Sequence, residues 1–156
     1  MNHAPKSQAR SAARLAAVQA LYQLHMEKTA LAKLLDEFHQ HRLGRAVDDE
    51  GEGEPVYAEA EVEFFDDVVR GVAARLDEID ALVASKLAAG WTTARLDKTM
   101  LQVLRAGAYE LLARRDIPVA VAINEYVEVA KAFFDDTEAR FVNGVLDAVA
   151  KDARAG

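Results

Sequence analysis

Three helix-start signals punctuate the last two-fifths of the chain and leave no room there for a sheet. Asp97 stands as an N-cap between Leu96 and Leu101, the N′ and N4 places of a hydrophobic staple. Pro118 suits the first turn of a helix, where its missing N–H and fixed φ cost nothing. Asp135-x-x-Glu138 has the form of a capping box. Behind each signal runs a 3.6-residue apolar period. The three stripes are Leu101, Leu104, Ala108, Leu111; then Val119, Ile123, Tyr126, Val127, Ala130; then Val142, Val145, Leu146, Val149. Arg114 and Arg115 fall in the last turn of the first, where cations complement the helix dipole. Asn143-Gly144 would ordinarily mark a hairpin. It lies inside the last stripe, so it reads as helical, with the glycine letting a neighbouring helix approach.

The upstream chain follows the same period. Residues 7–28 suit a helix capped by Ser7, with Leu15, Val18, Tyr22 and Met26 on one face. Thr29 is placed to cap a second, carrying Leu31, Leu34, Leu35 and Phe38, with Gly44 at its stop. From 58 to 89 the stripe is Phe65, Val68, Val72, Leu76, Ile79 and Val83. Gly71 leaves one bent helix or two, the second capped by Asp77, and Gly90 is the natural terminator. The expected fold is all-α, a compact bundle of six to seven helices in a single domain, 1–156. Residues 1–6 form a flexible basic arm and about 45–57 an acidic surface loop.

A chain of 156 residues can bury a core of its own without metals or disulfides. It has no cysteine, which excludes a disulfide framework, a thiolate nucleophile and any cysteine-bearing zinc site. No apolar run approaches the roughly 20 residues that span a bilayer, and a cytoplasmic protein is expected. The acid-free N-terminus also resembles a transit peptide, but Leu15, Val18, Leu21 and Tyr22 form a core stripe that a discarded segment does not need. No phosphate-binding glycine loop, nucleophile elbow or paired-histidine metal motif is present. Asp36-x-x-His39 is a single acid–histidine pair, short of the two that a di-iron bundle needs. Neither a catalytic site, a metal nor a cofactor is expected.

The net charge of −7 argues against a nucleic-acid partner until its distribution is read. Asp48 to Asp67 holds ten acids and no base, whereas Met1 to Met26 holds no acid and carries Lys6, Arg10 and Arg14. These three cations, four residues apart, form a slowly drifting stripe on the side away from the apolar face. Much later, Arg140-Phe141 sets a cation beside an aromatic ring at the start of the last helix. Single-stranded RNA asks for cations along its phosphates and flat side chains under its bases. By themselves the cations read equally as a solvated face, Phe141 and Tyr22 as core, and Asn124 and Asn143 as buried hydrogen-bonding residues.

Four blocks together are more specific. They are Ala17-Val18-Gln19-Ala20-Leu21-Tyr22, Leu104-Arg105-x-Gly107-x-Tyr109-Glu110-Leu111, Ile123-Asn124-Glu125-x-Val127-Glu128-x-Ala130-Lys131-x-Phe133 and Phe141-Val142-Asn143-Gly144-Val145-Leu146-Asp147. In this order they closely resemble the bacterial transcription antitermination factor family NusB. The resemblance implies two three-helix bundles packed at a steep angle and a non-enzymatic role. That role is binding boxA RNA together with the small ribosomal protein NusE, in RNA polymerase antitermination complexes with NusA and NusG on ribosomal RNA operons. It carries an RNA-binding role to Lys6, Arg10, Arg14, Tyr22, Arg140 and Phe141. The basic segment is thin, with Ser11 and Ala12 where arginine can occur, and the acidic loop looks like an insertion. Four cations on phosphates would give a log–log salt slope of roughly −3, hence weak binding without NusE. A protein-only scaffold, or the RNA-recognition part of a methyltransferase, are the other readings. The second is disfavoured by the absence of cysteine and of a catalytic domain. Some NusB proteins self-associate, and a homodimer stays open.

Overall fold

The computed structural model describes residues 6–40 and 59–155, with side chains from Ala9 and from Glu61 onward in the two stretches. Within them the chain forms seven α-helices, one 3-10 turn and no strand. The helices are α1 (Lys6–Glu27), α2 (Leu31–Phe38), α3 (Glu59–Ala74), α4 (Leu76–Ala84), α5 (Lys98–Ala113), α6 (Val119–Lys131) and α7 (Asp136–Ala153), with the 3-10 turn at Thr93–Arg95. The arm ahead of α1, Gly44 and the acidic loop at about 45–57 lie outside the described residues. No helix among the described residues is long and apolar enough to cross a membrane. The chain divides into two compact units inside α3, Met1–Arg70 and Gly71–Gly156.

In the first unit, α1 buries a different face from the one its large residues suggest. Ala9, Ala13, Ala16, Ala17 and Ala20 are buried with Val18 and Leu21, while Leu15 is half-buried and Tyr22 and Met26 are exposed. Alanine weighs little in a hydropathy count, yet its small side chain lets helices approach closely. Lys28 adopts a left-handed φ of 56° after α1. Ala30, not Thr29, occupies the N-cap of α2, and no side chain caps it. Leu34, Leu35 and Phe38 of α2 are buried, as are Phe64, Phe65, Val68 and Val69 of α3. Phe38 stacks on Phe65 with ring centroids 5.5 Å apart. His39 Nε2 pairs with Asp66 Oδ1 at 2.6 Å, while Asp36 accepts from Gln40.

The second unit is organised on α5, whose residues from Met100 to Leu111 are all buried. Helices α4, α6 and α7 pack around it. Asp97 caps α5 as expected, accepting from the amides of Thr99 (2.8 Å) and Met100 (3.1 Å), with Leu96 and Leu101 both buried. Three polar side chains lie inside: Gln102, Arg105 and Glu110. Arg105 grips Asp80 of α4 through Nε and Nη2, both at 2.8 Å. The Tyr126 hydroxyl of α6 donates to Glu110 Oε2. The C-terminus of α5 is covered from forty residues away. The Arg154 guanidinium donates to the carbonyls of Leu111 (2.7 Å), Arg114 (3.0 Å) and Glu110 (3.3 Å). Arg114 and Arg115 turn instead to Asp116 and the Ala153 carbonyl.

Breaks and glycines differ from their sequence reading in physically clear ways. The chain kinks at Arg75 (φ −117°, ψ 28°), which takes the N-cap place of α4 foreseen for Asp77. Its guanidinium holds Glu78 at 2.9 and 3.0 Å, and that hydrogen bond keeps the Glu78 carboxyl below the usual carboxylate range. Helix α4 ends at Ala84, six residues ahead of Gly90. Gly90 has a φ of +87° and shapes the turn before the 3-10 segment. Close approach belongs to Gly71, against the Tyr109 ring, and to Gly107, against Leu146.

Gly144 is exposed, and a Cβ there meets nothing within 4 Å, so no helix leans on it. Gly144→Ala should therefore stabilise the protein by about 0.5–1 kcal/mol through helix propensity alone. Urea unfolding checks this.

Asp135 caps α7, accepting from the Thr137 amide at 3.2 Å. Its carboxyl is held below the usual range, first by its hydrogen bond with the Glu138 side chain and then by backbone N–H groups. A depressed folded pKa means the cap is intact above the unfolded value and is lost as pH falls through the folded one. Carbon-detected NMR should show Asp135 titrating below an unstructured aspartate, with the amides of the first turn of α7 moving in step.

Candidate functional site

Of the six expected site residues, four belong to the first unit. Lys6 opens α1, and its side chain lies outside the described residues. The i, i+4 spacing of Arg10 and Arg14 brings both guanidinium groups to one ring, 4.7 and 4.9 Å from the centroid of Phe64. Arg10 is half-buried and Arg14 is only 2 % exposed. The expectation of a stripe turned away from the core is corrected here for Arg14, which belongs to the interior. The physical reason is that guanidinium is weakly hydrated and gains about 2 kcal/mol over an aromatic face once desolvated. Tyr22 shows the reverse shift. It was on the expected core stripe and is 39 % exposed, eight residues beyond Arg14 and roughly 12 Å along the axis.

The other two, Arg140 and Phe141, are both exposed on the first turns of α7. Adjacent in sequence, they point to different concavities, because successive helical residues are about 100° apart. Phe141 lines an open groove of about 620 Å³ with Trp91, Arg95, Met100 and Phe134. Arg140 lines a smaller cleft of about 230 Å³ with Lys131, Asp136 and Asn143. The start of α7 is thus a ridge between a largely apolar groove and a polar, cation-bearing cleft. Asn124 and Asn143, read as buried, are both exposed.

Sequence reasoning missed Trp91 and Arg95. Trp91 is the only tryptophan, and it is 51 % exposed. The Arg95 guanidinium lies 5.1 Å from its ring centroid and is anchored by donating to the Gly90 carbonyl at 2.8 Å. A signal was available: Trp91 follows a glycine, sits outside every apolar stripe and precedes an arginine by one helical turn. Phe134 was not singled out, and Lys131 stood in a family block without a site role. Lys131 is exposed, 3.3 Å from the exposed Glu128, a pairing that contributes little to stability.

Comparison with known proteins places these features in a family. The NusB family model matches residues 11–151. The transcription antitermination protein NusB of Novosphingobium aromaticivorans is 66 % identical over 146 residues, 94 % of this chain and 95 % of that protein. The structure of T. maritima NusB superposes with a TM-score of 0.76 at 31 % identity, covering 97 % of this chain and 94 % of that one. The crystal structure of antitermination factors NusB and NusE in complex with dsRNA matches in fold. Its TM-score is 0.73 at 23 % identity, covering 92 % of this chain and 97 % of that one. The family match begins at Ser11 in α1 and ends at Lys151 in α7, spanning both units and the whole all-α architecture read from the sequence: the chain belongs to the NusB family.

Proposed function

We propose that the chain is a non-enzymatic, cytoplasmic transcription antitermination factor that binds boxA-type single-stranded RNA together with NusE. The RNA polymerase complex with NusA and NusG is its setting. The observation that carries the reading is the exposed Arg140-Phe141 pair, in a chain so similar to a protein named for antitermination. A solved relative in fold holds NusE and dsRNA, which makes those the first partners to try. Arg140 offers charge to a phosphate and Phe141 a face to a base, worth about 1–3 kcal/mol for one stacked base. Arg10 and Lys6 supply cations from α1. Arg14 serves by holding Phe64 and α1 in place.

This division of roles changes the expected salt dependence. With Arg14 buried, three cations remain from the expected set, and the log–log slope should be about −2. Titrating labelled boxA RNA at several salt concentrations, with and without NusE, measures it. Phe141→Ala should weaken binding about tenfold with the slope unchanged. Arg140→Ala should flatten the slope by about 0.7. Arg14→Ala should lower the melting temperature instead. No preference for boxA over scrambled RNA, even with NusE present, would overturn the reading in favour of a protein-only scaffold.

A further inference from the structure

Trp91 and Arg95 have no role in the reading above, although an exposed tryptophan under a guanidinium is an unusual use of the chain's largest apolar side chain. We propose that the base-binding face of Phe141 is one wall of a larger subsite, the Trp91–Arg95–Phe134–Phe141 groove, into which the RNA turns an unpaired nucleobase after its backbone passes the Arg140–Lys131 cleft. The proposal rests on the RNA reading and extends it to residues outside the α7 pair.

Four observations carry it. The groove's volume of about 620 Å³ lies within the roughly 300–1,000 Å³ of small-molecule sites, so a planar base is accommodated. Its walls present the flat surfaces that unpaired bases stack on: two aromatic rings with substantial exposure, Trp91 and Phe141, and the guanidinium plane of Arg95. Arg95 is pre-positioned, since its Nη1 is bound to the Gly90 carbonyl while the guanidinium lies over Trp91. Finally, the charge pattern matches a strand rather than an apolar peptide. Across the α7 ridge, the cleft sets the exposed Arg140 and Lys131 beside Asp136, and the Lys131 pairing with Glu128 at 3.3 Å is an exposed one that contributes little, so both cations can turn to a phosphate.

Of the two acids of the groove, Asp97 is engaged, accepting two α5 amides, whereas Glu138 keeps its Oε1 buried without a hydrogen-bond partner. A strand crossing the ridge would put phosphates on the cationic side and bases on the aromatic side.

Trp91, as the only tryptophan, reports on its own site. Labelled boxA RNA should quench the intrinsic emission of the wild-type chain, saturating at the affinity that anisotropy gives. Trp91→Ala should weaken binding about 5- to 100-fold, while Trp91→Phe should retain most of it. Circular dichroism melts check that both variants fold. The wild-type quench decides the matter even where Trp91→Ala does not fold.

Binding by anisotropy with Trp91 emission unmoved, or with Trp91→Ala affinity unchanged, would overturn the subsite and leave the RNA reading standing. Absence of binding by the wild-type chain, with or without NusE, would overturn both. If NusE alone shifts Trp91 emission and RNA does not, the groove is a protein-docking surface and the subsite is overturned.

Discussion

Tyr126→Phe is expected to destabilise the chain by about 2–3 kcal/mol, although it removes one oxygen atom. Tyr126 and Glu110 are fully buried, and the hydroxyl donates to Glu110 Oε2 between α6 and α5. The deletion removes a donor from a carboxyl group that water cannot reach, so the loss exceeds that of an average hydrogen bond. At this chain length the melting temperature should fall by roughly 4–12 °C. Glu110→Gln, which keeps an acceptor and adds donors, should lose less. In an equilibrium urea series, Tyr126→Phe combined with Glu110→Gln should fall short of the sum of the two. A melting temperature within a degree of wild type for Tyr126→Phe would show that this hydrogen bond contributes nothing net.

Gly71→Ala should be nearly as damaging, against the rule that alanine stabilises a helix. A Cβ at position 71 would overlap the ring of Tyr109, which is itself buried on α5. Overpacking of this kind costs up to about 3 kcal/mol. The gain in helix propensity offsets about 1. The expected net loss is therefore about 2 kcal/mol. The sign should reverse once the ring is removed: in a Tyr109→Ala background, the same Gly71→Ala change should be neutral or stabilising. A double-mutant cycle by denaturant titration measures this, and additive effects would exclude the clash as the cause. Gly107→Ala should be milder, because the nearest atom is the flexible end of Leu146, 2.7 Å away.

Gly71 and Gly144 mark where local pattern stopped being informative. Gly71 was visible as a weak point in a helical stripe, but not as the seat of a ring that arrives from 38 residues later. Gly144 stood in a recognisable block and suggested close packing, yet it faces open space. A glycine's role depends on what stands opposite, and the sequence does not state that. The capping residues behaved differently. Asp97 and Asp135 act on amides two or three residues away, so their task is written locally and the structure carries it out.

The candidate site divides the same way. Arg140 and Phe141 could be found because a short basic–aromatic pair before a recognisable block is a local feature. Arg14 was misplaced because helical spacing gives its face but not the partner across from it, and that partner is Phe64. The error on α1 has the same origin: alanines carry a faint hydropathy signal but fit close helix contacts, so they took the core face from Leu15 and Tyr22.

By itself, the sequence determined the helical class, the starts of the last three helices and the family, since periodicity, caps and contiguous blocks all act over a few residues. Tertiary structure alone decided which cations are buried and which glycines are crowded. It decided that Arg154 closes α5, and that Trp91, Arg95 and Phe141 share a groove. Each of these joins residues from separate segments of the chain, and a contact across such a distance in sequence is created only when the helices pack.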